Sequence, residues 1–406
     1  MRLVMTLKVR DEADILEDNL RYHRALGVDF FVVTDNGSVD GTSEILDRYE
    51  RAGLAHVIRI ETSNLRDNEE DWTTRMARLA ATEFEADWVF HDDADELWWP
   101  VRGTLREAFE AIPEQYGSVV APRAEFVARP DAPGSWFERM VYREALGSLQ
   151  PKAAHRGDPD AVVINQTHEV VSVGPGRDLW SGLRPPGRMV HRSTRATSEE
   201  RHEESDRPEI RLIWAPSHPL RIFHFPLRSF DQFRKRTEIF LRHGGWRDTG
   251  RFRRLRYAYE QDRLDELYAE LVWDDAQIEE SIRDGELAHD DRFAKLLPQC
   301  PDALSGAPAG SVSVDPSADD LERERAEVEY DAMRLMSRTQ RFTMLQLDRS
   351  RGRLDELRGT LDEVRGKLNR TLGRRLLNRM RALRKRRKAE QGLAATPSPP
   401  GDEAAE

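Results

Sequence analysis

Trp88-Val89-Phe90-His91-Asp92-Asp93-Ala94-Asp95-Glu96 places four acids within five positions, straight after a short apolar run. The run reads as a buried strand, and the acids then fall at its C-terminal end. Strand side chains alternate between faces, so a chain that stayed extended would put Asp93 and Asp95 on one face. The carboxyl ends of strands are where open α/β sheets bind ligands. Adjacent carboxylates repel one another, and a hard, oxygen-seeking cation such as Mg2+ or Mn2+ relieves that repulsion. A solvated acidic turn is the simpler alternative, and the neighbouring strands decide between the two.

Upstream, short apolar runs alternate with segments of helical period. Leu3 to Val9 reads as a strand, and Ile15, Leu16, Asn19, Leu20 and His23 then recur at helical spacing. Phe30 to Thr34 is a second strand, closed by the turn signal Asp35-Asn36-Gly37-Ser38. A helix from Thr42 to about Arg51 turns Ile45, Leu46 and Tyr49 inward, a third strand spans His56 to Ile60, and a helix follows with Trp72, Met76, Leu79 and Ala80. Such alternation predicts an α/β fold with helices on both faces of the sheet. Its loops would gather along one edge.

Past Gly117 the pattern is irregular, with strand-like pieces at Ser118 to Ala121, Val162 to Ile164, Val170 to Val173 and Ile222 to Phe225. A mixed sheet with long loops is expected there. Phe230 to Arg242 and Arg254 to Val272 read as helices, and the Ser-, Gly-, Ala- and Pro-rich stretch from Pro298 to Pro316 reads as a linker. Beyond it Leu347, Leu354, Leu361 and Leu368 recur every seven residues with Leu357 and Val364 between them, an a/d coiled-coil pattern that predicts a homo-oligomer. Residues 365–388 contain no acid and many cations, with Leu368, Leu372, Leu376, Met380 and Leu383 along one side, which suits a peripheral anionic membrane surface.

Composition narrows the class. The 406 residues suffice for one large or two medium domains, and no apolar run approaches a membrane span. The first residues do not resemble a signal peptide, and Cys300 is the single cysteine, which together suit a cytoplasmic protein, with the inner face of the membrane as a peripheral site. A net charge of -11 has the wrong sign for a nucleic-acid partner.

Three polar motifs converge on one predicted sheet edge: Arg10-Asp11-Glu12, Asp35-Asn36-Gly37-Ser38-Val39-Asp40-Gly41-Thr42, and the acidic cluster. Together they resemble a bacterial family 2 glycosyltransferase of GT-A fold, over about residues 1–240, and Trp72 to Arg78 is similar to the segment that such enzymes place beside the nucleotide. The resemblance implies a nucleotide-sugar donor held by Arg10, Asp35, Asn36, Arg75 and Asp93. It implies a divalent Mn2+ or Mg2+ ion on Asp95, with His224 or His168 as a histidine ligand, and a glycan or lipid-linked acceptor. Asp40 could instead cap the helix that follows it. A displacement at the sugar also needs a carboxylate base. Glu96, Glu125 and Glu169 are all open for that role, and the sequence does not choose among them.

The organisation expected is a transferase domain at 1–243, a helical extension at 244–297, a linker at 298–318, a coiled coil with a basic end at 319–390 and a disordered tail at 391–406. Two other readings compete. A phosphatase of the haloacid dehalogenase type also uses paired aspartates, but Glu96-Leu97 stands where its motif wants Thr or Val. A non-catalytic scaffold would keep a degenerate transferase domain and act through its coiled coil.

Overall fold

The computed structural model describes residues 1–60, 69–114, 116–164, 169–172, 178–179, 219–242, 250–328 and 330–331. The chain divides into two compact units, Met1–Arg338 and Thr339–Glu406. The second unit, with the heptads, the basic segment and the tail, lies outside the described residues, as does His168.

The first half follows the alternation of the sequence: β1 (Leu3–Val9), α1 (Leu16–Ala25), β2 (Phe30–Asn36), α2 (Thr42–Arg51), β3 (Ala55–Ile60), α3 (Glu69–Thr82) and β4 (Trp88–Asp93). Strands β1, β2 and β4 are nearly continuous runs of buried side chains, as parallel strands covered on both faces require. Leu16, Leu20, Leu46 and Tyr49 pack with Met5, Leu7, Phe31 and Phe90 on one side of the sheet. Met76 and Ala80 of α3 pack with Val4, Val32 and Val89 on the other. The fold is thus a mixed α/β sheet with helices on both faces.

The second half builds β5 (Glu96–Pro100), α4 (Leu105–Glu110), β6 (Tyr116–Glu125), α5 (Trp136–Arg139), β7 (Tyr142–Glu144), β8 (Ser148–Arg156), β9 (Val162–Ile164), β10 (Glu169–Ser172), β11 (Asp178–Leu179) and β12 (Leu220–His224). Next come α6 (Phe230–Arg242), α7 (Gly250–Glu260), α8 (Leu264–Ala269), α9 (Asp275–Arg283), β13 (Leu287–His289) and α10 (Arg292–Leu296). The main sheet runs β3-β2-β1-β4-β8-β6-β12-β5, with β11 also on β6. Strands β1 to β4 pair in parallel, β8 runs antiparallel between β4 and β6, and β12 is parallel to β6 and antiparallel to β5. The C-terminal ends of β1, β2, β4, β6 and β12 therefore share one edge.

Several expectations are corrected. Asp93 and Asp95 do not continue one strand, because the chain turns at Ala94 and Asp95 and Glu96 opens β5. Asn19 of α1 forces that turn, its amide donating to Asp92 Oδ2 at 3.0 Å and to the carbonyls of Ala94 and Glu96 at 3.2 and 3.0 Å. The helix expected from Arg254 to Val272 is broken between α7 and α8, where Asp262 takes a left-handed φ of 54°. The break lets Leu264 and Leu267 meet Leu255 and Ala258 beside Phe230 and Phe233. The stretch read as a linker at 298–318 is a strap packed on the domain. Gly310 and Val312 donate to the carbonyls of Arg24 and Ala25, Val314 bridges Gly103, and Ala303 and Val314 are buried. Apolar positions spaced among its Ser, Gly and Pro residues supply that packing, so the first compact unit extends well beyond residue 243. A helix begins at residue 318, with the Ser317 hydroxyl accepting the Asp320 N–H at 3.2 Å.

His155 of β8 is fully buried, and that burial depresses its imidazole to about 4, against its bond to the Arg156 carbonyl at 2.7 Å. A histidine held below its unfolded value of about 6.5 binds its proton more tightly in the unfolded chain, so its contribution to stability is complete above that value and is lost as the pH falls. Replacing His155 with Gln should flatten the fall of urea-measured stability between about pH 6 and pH 4 by about 1.4 kcal/mol per pH unit. Equal slopes for the two proteins would mean that His155 is protonated in the folded state.

Candidate active site

Tertiary structure joins the two acids of the motif through a chain of alternating charge. Asp93, at the end of β4, accepts from Lys152 Nζ of β8 at 2.5 Å. The same ammonium lies 2.9 Å from Glu96 Oε2, and Glu96 Oε1 accepts from Arg123 of β6 at 2.9 Å. Arg123 also bonds Glu125 at 2.7 Å, Glu125 Oε2 lies 2.5 Å from His224 Nδ1, and His224 Nε2 stands 3.6 Å from Asp95 Oδ2. Strand register makes this possible, because His224 pairs with Glu125 on one side and with Glu96 on the other.

Electrostatics follow from that chain. Burial works against the Lys152 ammonium, but Asp93 and Glu96 overcome it and raise its pKa. Burial would also raise Asp93, yet Lys152 and then Lys8 bring it down to about 2. His224 would be depressed by burial but is pushed up to about 9 by Asp95 and Glu125. Asp95 is held well below the usual carboxylate range, burial being outweighed by His224, Arg236 and Arg228. Asp93 and Asp95 are therefore held ionised by the cations that already face them.

A second acidic group comes from the tip of β1. Asp11 adopts a left-handed φ of 57° and accepts the Val39 N–H, while the Glu12 N–H donates to the Thr42 hydroxyl at 2.9 Å. Arg228, four residues past His224, is buried and bonds Glu12 at 2.8 Å and Asp14 at 2.9 Å. Arg236 of α6 reaches Asp95 at 3.3 Å. Burial raises Glu12 to about 7, with Arg228 acting in the opposite direction.

Asp93, Asp95, Glu96, Glu125 and His224 come together. Glu96 is 1% exposed and ion-paired at both oxygens, and Glu125 is engaged by Arg123 and His224, so both act as supports of the edge and not as open bases. Asp35 and Asn36 are buried at the tip of β2. Both carboxylate oxygens of Asp35 are taken up locally, one by the Ser38 N–H and hydroxyl at 3.1 and 2.6 Å, the other by Ser43 at 2.5 Å. Asp40 receives the Thr42 N–H and hydroxyl at 3.1 and 2.6 Å, anchoring the start of α2. Arg10 is half-buried at the tip of β1. Arg75 is exposed on α3, where it lines an open cavity of about 330 Å³ with Thr74, Arg78, Leu79 and Thr82. Glu169 pairs by its backbone with Ile164 in β10, and its side chain is outside the described residues.

Sequence reading missed Lys152, Arg123, Arg228 and Arg236 as parts of the site. Lys152 could have been suspected as a lone cation among Pro151, Ala153 and Ala154, but nothing in that segment marks a central strand.

Among the described residues no three His, Cys, Asp or Glu side chains converge on one point. Asp95 and His224 would fit a divalent ion once His224 gives up the proton that its raised pKa keeps on the ring near neutral pH. One offers an ionised oxygen, the other a nitrogen facing it, and Glu125 orients the imidazole from behind, as the outer partners of metal-bound histidines do.

The chain is similar to glycosyltransferases over part of its length. Residues 6–178 match the model of glycosyltransferase family 92. That is a different family from the family 2 suggested by the motifs. Among solved structures the chain is similar to S. aureus TarS 1-349, at 17% identity over 39% of this chain and 47% of that one, with a TM-score of 0.28; TarS 1-349 is also solved in complex with UDP. It is similar as well to glucosyl-3-phosphoglycerate synthase from Mycobacterium tuberculosis in complex with Mn2+, UDP and glucosyl-3-phosphoglycerate, at 18% identity over 30% of this chain and 44% of that one, with a TM-score of 0.21. The chain spans about half the length of the solved structures it matches. No protein of curated function matches it.

Removing one partner of a buried ion pair strands the other charge, at about 3–5 kcal/mol. Lys152→Met should therefore lower the unfolding free energy by about that amount, because Glu96 is left buried beside it. Adding Glu96→Leu should restore most of the loss, since Asp93 is 42% exposed and can be solvated. A single variant that unfolds at the same urea concentration as the unaltered chain would show that the chain of charges does not hold the sheet together.

Proposed function

We propose that this protein is a metal-assisted glycosyltransferase that moves a sugar from a nucleoside-diphosphate sugar to a hydroxyl of a polysaccharide, glycolipid or other surface-glycan acceptor. The observation that carries the reading is the meeting of Asp95 with His224, backed by Glu125, beside the half-exposed Asp93 on the edge that also holds the Asp35 loop. The family 92 match over residues 6–178 supports it.

In this reading the Asp35-Asn36 loop and Arg10 face the nucleotide, and the outward oxygen of Asp93 accepts hydroxyls of the donor. Asp95 and His224 hold the divalent ion, which would neutralise charge on the departing diphosphate when bound. Arg228 and Arg236 add fixed positive charge beside it. Glu12, part-exposed at the tip of β1 and bonded to Arg228 by one oxygen, is the carboxylate proposed to receive the acceptor proton. The heptads at 347–368 are proposed to assemble copies of the chain. The basic segment at 365–388 is proposed to meet anionic lipid at the inner face of the membrane. No helix among the described residues is long and apolar enough to cross a membrane.

Thermal shift against a panel of nucleotide-sugars, with and without Mn2+, tests the donor and the ion together, because a ligand that binds only the folded state raises the melting temperature. One donor should raise it more with Mn2+ than without. Asp95→Asn and His224→Ala should abolish that difference, and Glu12→Gln should lower kcat about 100-fold while donor binding persists. A chain that responds to no nucleotide-sugar would leave the scaffold reading in place. Sedimentation should give a multiple of the monomer mass for the whole chain and a monomer for the chain truncated after Arg338. Equal monomer masses would remove the coiled coil from the account.

A further inference from the structure

A second cluster of buried charge lies away from the strand tips, and the site chemistry makes no use of it. Arg221 stands on β12 three residues before His224, and its side chain is 1% exposed. Three acids of the helix that begins at residue 318 meet it: Glu324 at 3.4 Å, Glu327 at 3.3 Å and Asp331 at 3.3 Å. Their spacing puts all three on one side of that helix. Arg143 of β7 joins the cluster through Asp290 at 2.8 Å and Glu327 at 2.5 Å, and Arg292 through Asp290 and Glu324 at 2.6 Å each. Arg292 also lies over the rings of Trp99 and Phe223, at 5.4 and 5.3 Å from their centroids. Asp331 has a second grip, accepting the Gly147 N–H at 2.9 Å immediately before β8 begins.

Apolar side chains of similar volume would hold a helix on a sheet at least as tightly, because charges lose their hydration on burial. What three arginines and four acids add is registry, since a shift of one turn would leave several of them buried without partners. The strands so gripped are the two that bring His224 and Lys152 to the active edge.

We infer that the helix beginning at residue 318 is a positioning element for that edge: seated on Arg221 and Gly147, it holds the His224 end of β12 and the start of β8 against the turn at Ala94 and Asp95. Glu324, Glu327 and Asp331 are its positioning residues. The consequence for catalysis rests on the glycosyltransferase reading, whereas the consequence for the strands does not.

Two variants unseat the helix by different means. Asp331→Asn removes the charge. Gly147→Ala keeps every charge but sets a Cβ 2.4 Å from Asp331 Oδ2 and 2.9 Å from the Arg123 carbonyl oxygen. Hydrogen exchange then reads two amides at the edge, Phe225 donating to the Asp95 carbonyl at 2.8 Å and Phe126 donating to the His224 carbonyl at 2.9 Å. Both should exchange about tenfold faster in either variant, with the amides of β1 unchanged. Mn2+ affinity and kcat should each fall about tenfold, and KM for the donor should move less, because the Asp35 loop is carried by β2, separated from β8 and β12 by β1 and β4. If Asp331→Asn fails to fold, Glu327→Gln removes a carboxylate that is 30% exposed and gives the same readout in milder form. Faster exchange confined to residues 318–331 would make the cluster a staple with no positioning role and overturn the inference. Faster exchange at Phe225 and Phe126 in a chain that neither binds Mn2+ nor transfers sugar would uphold the positioning and refute the proposed activity.

Discussion

Asp93, Lys152, Glu96, Arg123, Glu125, His224 and Asp95 form one line of alternating charge, and the second half of the sheet is arranged around it. A carboxylate with 1% of its side chain exposed, as in Glu96, is tolerable only with a cation at each end. That requirement places β8, with its lysine, between β4 and β6, and it ties the tip of β6 to the tip of β12. Breaking any inner link would leave a buried neighbour with one of its two partners, so each link supports the next. Its two ends, Asp93 and Asp95, are consequently fixed relative to each other by side chains from other strands, although only one residue separates them in sequence.

Beneath that line lies a neutral support. Asn19 spreads its amide over Asp92 and the carbonyls of Ala94 and Glu96, while His23 Nε2 receives the Trp98 N–H at 3.1 Å and its other nitrogen lies 2.9 Å from the Asn19 carbonyl. Burial drives His23 down to about 3, which keeps the ring neutral and able to accept. Two polar residues on the inward side of α1 therefore hold the turn that carries Asp95. A turn supported in this way holds the Asp95 carboxylate in one place.

Charge is also used at a distance from the edge. The acids of the helix at 318–331 close on Arg221, and the strap before that helix closes on α1 and on Gly103. The chain beyond α10 thus returns to the strands and helix that shape the site, giving the domain a longer reach in sequence than its motifs suggest. The overall net charge of -11 conceals this, because many of the acids are matched locally by arginines.

The amino-acid sequence by itself determined the parallel half of the sheet. Strands buried on both faces must be apolar throughout, and amphipathic helices must repeat near every fourth residue, so β1 through β4 and their helices were legible with boundaries close to those observed. The acidic tips at Asp35 and Asp93 to Glu96 were legible because polar residues interrupt apolar runs where loops begin, and the sequence offered His224 beside His168 without choosing between them on local grounds. Tertiary structure alone decided the rest. Strand β8 carries Pro151 and a lysine at its centre, and no local pattern marks it, since its place depends on the acids of β4 and β5 that neutralise Lys152. The fate of Glu96 and Glu125 as supports, the turn at Asp95, and the packing of the 298–318 stretch likewise depend on partners many residues away. Local periodicity reports which face a side chain must hide, but a buried charge is defined by its partner, and that partner is chosen only when the strands assemble.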